Sequence, residues 1–304
     1  MSSRSQNSNC SRCSQQTFHT IERDCQTIQV VRNLGSGSFG ECVLVLCPST
    51  NKFLAVKRLS KQHVSSETFQ REFEVSCALS SHKNIVKTYS NQVCSDDAYL
   101  IFQEWAQCGD LFDWIEPMQG LPLTIVRAVT LQICSALNFM HKQGLVHRDI
   151  KPENILVFKA DFSNVKVADF GMTLPTGSEA RKSSKGIPYS APESLKSGYR
   201  KTYRVDPSAD IWSLGILLYC MLTGNFPWEL ALKKDTNYVT YLSNYAASSK
   251  SSSQHKPIAQ VTNNDPTQFS QMDTRCADLI LRMLNSKAKK RCRIVDVEKC
   301  FQSL

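Results

Sequence analysis

The sequence predicts an α+β fold in which a small, β-rich region precedes a larger, mainly α-helical region. Short apolar runs separated by turn residues dominate residues 28–104, whereas apolar residues at helical spacing dominate residues 107–303. Residues 1–25 are poor in apolar side chains and rich in Ser, Asn and Gln, so we expect a disordered tail there.

The β-rich region carries a single helical pattern among its strands. Residues 66–80 place Phe69, Phe73 and Leu79 on one helical face. Strands are predicted at residues 30–31, 43–46, 53–56, 85–89 and 99–102.

Helices are predicted in the second region at residues 124–143, 206–223 and 274–284. Thr124 is expected to cap the first of them and Gly144 to end it. The helix at residues 206–223 is apolar nearly all round, so we expect it to be buried. The Ser-, Asn- and Gln-rich residues 244–268 are typical of an extended loop.

The composition of the chain indicates the compartment in which the protein is expected. The chain has 304 residues, 13 Cys and a formal net charge of +9. Most cysteines lie in apolar stretches, where buried thiols behave as small hydrophobes. Residues 1–16 carry no hydrophobic segment of a secretory signal, and the longest apolar run, residues 211–222, is too short to span a bilayer. We therefore expect a monomeric protein of the cytoplasm.

Two clusters favour structural over chemical interpretations. Cys10 and Cys13 have C-x-x-C spacing without a second pair, so a disordered tail is preferred to a zinc or redox site. Five basic residues stand close together: Lys287, Lys289, Lys290, Arg291 and Arg293. A solvated helix end is preferred to a nucleic-acid or acidic-lipid surface, because no aromatic residue interleaves them.

A glycine-rich turn gives the first chemical signal. Gly35, Gly37 and Gly40 lie between two predicted strands, where side-chain-free positions let backbone N–H groups approach phosphates. Because a strand and not a helix follows, the turn does not match a dinucleotide-binding site; a tight hairpin stays the simple alternative.

The next predicted strand ends in a lysine. Lys57 follows the glycines at the spacing expected for a side chain that reaches phosphates, although a snorkelling lysine is the alternative. We expect Glu72 to be its partner. Glu72 is preferred to Glu74 because it shares one helical face with Val75 and Leu79.

Two polar loops carry the strongest signal. Residues 147–154 read His-Arg-Asp-Ile-Lys-Pro-Glu-Asn, and residues 169–171 read Asp-Phe-Gly. The carboxylates of Asp149 and Asp169 and the amide of Asn154 suit the handling of a hydroxyl proton and of Mg²⁺, which is what phosphoryl transfer requires.

Two later motifs are predicted to have structural roles. Ala191-Pro192-Glu193 follows the second loop, and residues 210–215 read Asp-Ile-Trp-Ser-Leu-Gly. We expect Glu193 to be a buried carboxylate that pairs with Arg291.

Taken in order, these motifs resemble the eukaryotic protein kinase family over about residues 28–303. Within that family the chain is similar to the SH3-binding-domain serine/threonine kinases at residues 103–106, 109–113, 138–141 and 222–229. The resemblance implies a bilobal fold with a small N-lobe and a larger helical C-lobe. It also implies a serine/threonine protein kinase that uses ATP and Mg²⁺ to modify protein substrates.

The resemblance implies a role for each matching residue. Asp149 would accept the proton of the substrate hydroxyl and Lys151 would steady the γ-phosphate, while Glu72 would orient Lys57 toward the α- and β-phosphates. The implied Mg²⁺ ligands are Asn154 and Asp169. The residues implied to bind ATP are Leu34, Gly35, Ser36, Gly37, Ser38, Phe39, Gly40, Cys42, Ala55, Lys57, Gln103, Glu104, Ala106, Asp110 and Leu156.

Three residues depart from the family pattern. Cys42 stands where a valine is usual, so we predict a thiol reachable from the nucleotide site. Gln103 is a polar gatekeeper, which would either form a hydrogen bond inside the pocket or crowd it. Gly186 replaces a threonine that bonds the catalytic Asp and Lys, at a cost of about 1.5–3 kcal/mol, or roughly ten- to hundredfold in turnover. No Pro-x-x-Pro occurs in the sequence, so SH3 binding is not expected.

The sequence allows two alternatives for regulation and two for activity. A phosphate on Ser183 or Ser184 would pair with Arg148 and order its loop, whereas a flexible basic loop would need none. A pseudokinase that acts as a nucleotide-binding scaffold is the alternative to a catalyst, and the retained catalytic residues favour the catalyst. The acidic residues Asp110, Asp113 and Glu153 indicate basic substrates.

Overall fold

An antiparallel sheet of six strands forms the first part of the chain. The computed structural model describes residues 20–23, 26–37, 40–48, 50–90, 93–183, 186–195, 199, 201–248, 269 and 272–304. The described residues of Met1–Val64 and Asn91–Trp105 form one compact unit, and those of Ser65–Ser90 and Ala106–Leu304 form a second.

The strands of the first unit lie in the order β1-β2-β3-β4-β6-β5 across the sheet. They are β1 (Thr20–Arg23), β2 (Gln26–Gly37), β3 (Gly40–Cys47), β4 (Lys52–Ser60), β5 (Val93–Cys94) and β6 (Ala98–Glu104). The strands expected near residues 30, 45, 55 and 100 are therefore confirmed. Their buried side chains, the core of this unit, are Val43, Leu44, Val45, Leu54, Val56, Leu59, Ala98, Leu100, Ile101 and Phe102.

The predicted tail differs from the structure at one point. β1 lies inside residues 1–25, where its backbone pairs with the start of β2, Ile21 opposite Ile28. Residues 1–19, with Cys10 and Cys13, lie outside the described residues.

The second unit is built mainly of helices. They are α1 (Ser66–Leu79), α2 (Leu123–Lys142), α3 (Ser208–Thr223), α4 (Thr236–Ser248), α5 (Thr274–Met283) and α6 (Ile294–Ser303). Three pairs of short antiparallel strands accompany them: β7 (Leu145–Val146) with β10 (Leu174–Pro175), β8 (Ile155–Val157) with β9 (Val165–Val167), and β11 (Glu179–Arg181) with β12 (Thr202–Arg204). The helix predicted inside the β-rich region thus clusters with the second unit.

Local chemistry sets the ends of these helices. The Ser65 hydroxyl accepts a hydrogen bond from the Thr68 amide and so caps α1. Gly144, with a left-handed φ of 71°, ends α2 as predicted. Thr124, however, is not the cap of α2: the helix begins directly after Pro122, whose ring fixes φ near the helical value.

The predicted strand at residues 85–89 does not form. Ile85 makes one isolated parallel bridge with Val167, and the Val86 amide donates to the Val167 carbonyl at 2.9 Å. The Asn84 amide fixes this segment by donating to Gln132 on α2 and to the Val165 carbonyl, each at 3.0 Å. The apolar run is therefore used for packing against β9 and not as a strand of the large sheet.

Two C-terminal predictions were also wrong. Helix α4 continues to Ser248 because Tyr238 and Tyr241 lie at helical spacing and are both buried, so the predicted loop cannot start at residue 244. Residues 249–268 lie outside the described residues. Helix α5 is not the last: α6 follows it and packs Ile294, Val297 and Phe301 into the core.

One described helix, α2, is long and apolar enough to cross a membrane by length and composition alone. The longest apolar run in the sequence, residues 211–222, lies in the shorter helix α3. The core helix of a soluble protein passes the same test, and α2 buries Val129, Ile133 and Leu137 in the apolar core of the second unit.

Candidate active site

A buried carboxylate on α3 holds the polar loop between β7 and β8. Asp210, whose side chain is 0% exposed, accepts hydrogen bonds from the backbone amides of His147 at 2.9 Å and Arg148 at 2.8 Å. His141 Nε2 lies 2.8 Å from the same carboxylate. Burial by itself would raise the pKa of Asp210, but the hydrogen bond and charge of His141 and the neighbouring groups hold it below its usual value.

Asp149 has a fixed and partly accessible carboxylate. Its Oδ2 accepts a hydrogen bond from Asn154 Nδ2 at 2.9 Å and lies 2.8 Å from Lys151 Nζ. Asn154 Nδ2 also donates to the Asp149 carbonyl at 2.7 Å, while the Asp149 amide donates to His147 Nδ1 at 3.2 Å. With 19% of its side chain exposed, Asp149 suits a base that must meet a substrate hydroxyl.

Lys151 remains positively charged beside this carboxylate. Burial would lower the pKa of its amine, but the hydrogen bond to Asp149 and the charges of Asp149, Glu153 and Asp169 raise it above its usual value. A permanent cation at this position suits contact with a phosphate.

The two polar loops predicted from the sequence meet through the backbone. The Ala168 amide donates to the Asn154 carbonyl at 2.9 Å, which places Asp169 directly beside this junction. Asp169 has a left-handed φ of 61°, and its Oδ1 accepts from the Gly171 amide at 3.2 Å. The structure therefore brings Asp149, Asn154 and Asp169 to neighbouring loops of one unit.

The donors on these loops fit Mg²⁺ by their chemistry. Asn154 and Asp169 offer an amide and a carboxylate, and Mg²⁺ at phosphate-handling sites typically uses one or two carboxylates together with substrate phosphates. Among the described residues no three His, Cys, Asp or Glu side chains converge to hold a metal. A site completed by phosphate oxygens does not require such a cluster.

Burial separates the two candidate partners of Lys57. Glu72 is buried on α1, whereas Glu74 is exposed and accepts a hydrogen bond from Gln70 at 2.7 Å. A Cβ placed on Gly171 would stand 3.0 Å from Glu72 Oε2, so the Glu72 carboxylate lies against the Asp169–Gly171 loop. Since Lys57 belongs to the first unit and Glu72 to the second, their pairing stays a prediction.

The glycine-rich turn joins β2 to β3. A Cβ on Gly40 would overlap the Arg58 carbonyl of β4, so the sheet itself requires glycine there. Gly35 and Gly37 have neither a positive φ nor any atom within 4 Å of an added Cβ. Their lack of side chains is therefore unexplained by the fold and suits the close approach of a ligand. Ser38 and Phe39 lie outside the described residues.

Strand pairing positions the remaining candidates of the first unit. Cys42 on β3 pairs with Lys57 on β4, and Ala55 pairs with Gln103 on β6. The candidates Leu34 and Ser36 lie on β2, and Glu104 ends β6.

The second unit contains three further nucleotide-site candidates. Ala106 is buried, and Asp110 forms an antiparallel bridge with Leu156. Burial, followed by the charges of Asp113 and Glu153, raises the pKa of Asp110, although backbone hydrogen bonds oppose the shift. The charges of Asp113 and Glu153 therefore act on Asp110, so these three acidic residues influence one another.

Gly186 lies in the loop that the sequence predicts to meet the substrate. A Cβ on Gly186 would stand 2.5 Å from a methyl group of Leu195 and 2.6 Å from one of Leu230. The Ser190 hydroxyl accepts from the Ile187 amide at 3.1 Å, and thus helps to fix this loop. Two leucine methyl groups therefore occupy the space that a side chain at position 186 would need.

The predicted pair of Glu193 and Arg291 is confirmed, but the expectation of a buried Glu193 carboxylate was wrong, because 27% of that side chain is exposed. The two guanidinium nitrogens donate to the two carboxylate oxygens at 2.7 and 2.8 Å, and the Arg291 side chain is 0% exposed. Arg291 consequently does not contribute to the solvated basic cluster in which the sequence placed it.

The structure also shows contacts that the sequence did not predict. Arg148 has a left-handed φ of 71°, and its Nε donates to the Tyr203 hydroxyl at 3.1 Å. The Ser183 amide donates to the Ser194 carbonyl at 2.9 Å, while Ser184 lies outside the described residues. No local sequence signal pointed to Tyr203.

Comparison with known proteins identifies the class to which this fold and these loops belong. The family model "Protein kinase domain" matches residues 28–302. The chain therefore belongs to the protein kinase family, as predicted, and members of this family generally use ATP and Mg²⁺.

Several serine/threonine kinases are similar to the chain. "Serine/threonine-protein kinase SBK1" of Danio rerio is 36% identical over 269 residues, which cover 88% of this chain and 66% of that protein. SBK1 of Mus musculus is 41% identical over 214 residues, or 70% and 51%. "Serine/threonine-protein kinase meng-po" of Drosophila melanogaster is 33% identical over 275 residues, or 89% and 57%. The chain thus spans about half to two thirds of the length of these curated relatives.

Proposed function

We propose that this chain is a serine/threonine protein kinase that transfers the γ-phosphate of ATP to serine and threonine hydroxyls of proteins. The observation that carries the proposal is the arrangement around Asp149, whose carboxylate is held by Lys151 and Asn154 at 2.8 and 2.9 Å. A partly exposed base beside a permanent cation suits the acceptance of a hydroxyl proton next to a phosphate.

Each remaining site residue receives a role under this proposal. Asn154 and Asp169 would hold Mg²⁺, which would neutralise phosphate charge when bound. Lys57, oriented by Glu72, would bind phosphates, and Asp110 would reach the ribose. The other proposed nucleotide contacts are Leu34, Gly35, Ser36, Gly37, Ser38, Phe39, Gly40, Cys42, Ala55, Gln103, Glu104, Ala106 and Leu156.

Transfer of radiolabel from the γ-position of ATP to a generic basic protein tests the activity. We expect incorporation with the wild-type chain and its loss in Asp149→Asn, which keeps the side-chain shape but removes the base. Asp161→Asn is the matched control, because Asp161 is an exposed carboxylate outside the site. Phosphoamino-acid analysis of the product should show phosphoserine and phosphothreonine.

The same assay separates a catalyst from a scaffold. A pseudokinase would bind nucleotide without incorporation above the Asp149→Asn background. A nucleic-acid-binding function loses support because Arg291 is buried against Glu193, and a salt-dependent RNA or DNA binding assay checks it directly.

Location and assembly complete the proposal. Eight cysteines among the described residues are free thiols, which suits the reducing cytoplasm: Cys77, Cys94, Cys108, Cys134, Cys220, Cys276, Cys292 and Cys300. We place the protein there as a monomer; imaging of a fluorescent fusion and sedimentation velocity test the two statements.

A further inference from the structure

Both the backbone and the side chain of Arg148 are held by hydrogen bonds. Its backbone amide donates to buried Asp210, and its φ of 71° gives the side chain an unusual direction. Its Nε donates to the Tyr203 hydroxyl at 3.1 Å and its Nη1 to the Met172 carbonyl at 2.8 Å. The guanidinium carbon lies 5.7 Å from the centre of the Tyr203 ring, within range of a cation–π contact.

Tyr203 stands on a supported strand. It belongs to β12, where it pairs with Ala180 of β11. The ring packs against a small apolar cluster formed by Val146, Ala180 and Val205. Tyr203 thus presents its hydroxyl to Arg148 from a position that packing and strand pairing both restrain.

Backbone hydrogen bonds extend this support along the segment after Gly171. The Gly177 amide donates to the Val205 carbonyl and the Val205 amide to the Ser178 carbonyl, each at 2.8 Å. The Lys182 amide donates to the Lys201 carbonyl at 2.9 Å. Segment 177–182 is therefore attached to β12 and its neighbours by main-chain groups, which need no charged modification.

Arg148 joins these elements to the catalytic loop. It immediately precedes Asp149, and its guanidinium contacts Met172, the residue after the Asp169–Gly171 loop. From the sequence, a phosphate on Ser183 or Ser184 that binds this arginine was one alternative, and a flexible basic loop without a phosphate was the other. The structure instead gives the arginine a phenol hydroxyl and a main-chain carbonyl as partners.

We propose that Tyr203 is a positioning residue for phosphoryl transfer: through Arg148 it keeps Asp149 in place, and phosphorylation of Ser183 is not required for this. The inference rests on the proposed kinase function, in which Asp149 is the base. Tyr203 does not touch the reacting atoms, so its effect is exerted on turnover through the orientation of the loop.

Tyr203→Phe isolates the hydroxyl, because it keeps the ring, its packing and its contact with the guanidinium. We expect kcat to fall about tenfold while KM for ATP is unchanged, since one hydrogen bond to a charged group is lost. Tyr199→Phe is the matched control in the same segment, because Tyr199 is fully exposed. It is expected to match the wild type.

A double-mutant cycle distinguishes positioning through Arg148 from general loss of structure. Arg148→Lys removes the Nε donor. In the Arg148→Lys background, Tyr203→Phe should therefore lower kcat by less than twofold, whereas in the wild type it lowers kcat about tenfold. Additive effects would overturn the proposal. So would a Tyr203→Phe enzyme with wild-type kcat, or a Ser183→Ala enzyme whose kcat falls as far as that of Tyr203→Phe.

A second readout does not depend on turnover and separates this inference from the kinase proposal. Hydrogen–deuterium exchange of a peptide covering residues 145–158 should be faster in Tyr203→Phe than in the wild type or in Tyr199→Phe. Equal exchange in all three would overturn the positioning role. Absence of radiolabel transfer by the wild type, with faster exchange in Tyr203→Phe, would refute the kinase proposal and leave only the structural link from Tyr203 to the loop of Asp149.

Discussion

Removal of Glu193 should destabilise the second unit more than any surface ion pair does. The Arg291 guanidinium that it neutralises is 0% exposed, donates to the Asn285 and Ser208 carbonyls at 2.9 and 2.8 Å, and lies 4.8 Å from the Trp212 ring centre. Glu193→Ala leaves this buried cation with neutral partners only.

The expected cost follows from the burial of the pair. Breaking a buried ion pair by removing one partner costs about 3–5 kcal/mol. Since the Glu193 side chain is 27% exposed, water partly replaces it, and we expect about 3 kcal/mol, the low end of that range. That corresponds to a fall of about 5–10 °C in Tm for a chain of this size.

Calorimetry against a surface pair checks this magnitude. Arg282→Ala breaks the ion pair with Asp278, whose members are 46% and 43% exposed, and is expected to cost about 0.3–0.5 kcal/mol. Replacing both partners, Glu193→Leu with Arg291→Met, should recover most of the stability lost in Glu193→Ala. A Glu193→Ala protein that melts within 2 °C of Arg282→Ala, at about the precision of such a comparison, would refute the reasoning.

Three further predictions concern two glycines of the glycine-rich turn, the thiol of Cys42 and the carboxylate of Asp110. Gly40→Ala should cost about 1–3 kcal/mol in a denaturant titration, because its Cβ meets backbone, whereas Gly35→Ala should leave stability unchanged and weaken ATP binding in calorimetric titration. ATP should slow alkylation of Cys42, followed by mass spectrometry; an unchanged rate would show that the thiol is not at the nucleotide site. The pKa of Asp110 is raised in the folded state, so its contribution to stability is present below the unfolded value of about 3.9 and lost as pH rises through the folded value. Asp110→Asn should therefore gain stability relative to the wild type between pH 3 and pH 7, and a constant difference across that range would contradict the assignment.

Local patterns predicted the parts of the fold that local chemistry determines. Helix α1 has its own cap at Ser65 and its own buried face, and α3 is apolar on all sides. The choice of Glu72 over Glu74 needed only helical periodicity and is supported by burial. The ordered motifs likewise predicted the family, because each has a specific sequence as well as a position.

A long-range hydrogen bond explains one wrong prediction, and a local capping signal that was overlooked explains another. Segment 85–89 has strand-like composition, yet Asn84 binds it to α2 and β9, which lie far along the chain. Helix α6 was missed although Ile294, Val297 and Phe301 show helical spacing, because the basic residues before it were interpreted as the end of the preceding helix. The Asp296 carboxylate that accepts from the Arg293 amide is the capping signal that would have revealed α6.

Gly186 is predicted to replace a threonine that would bond Asp149 and Lys151, so the last prediction concerns the orientation of Asp149. Lys151 and Asn154 still hold its carboxylate, so we expect the loss of one further bond to lie near tenfold in kcat, the lower end of the ten- to hundredfold range. Gly186→Thr by itself does not measure this, because any Cβ must displace the methyl groups of Leu195 and Leu230.

Gly186→Ala carries the same crowding without the hydroxyl, so the comparison of Gly186→Thr with Gly186→Ala isolates the bond to Asp149 and Lys151. We expect the threonine variant to turn over about tenfold faster than the alanine variant at equal KM for ATP. Equal turnover would mean that the two bonds already present fix Asp149 completely. In that case Gly186 would be explained by the packing of the two leucines alone, and the missing threonine would carry no catalytic cost.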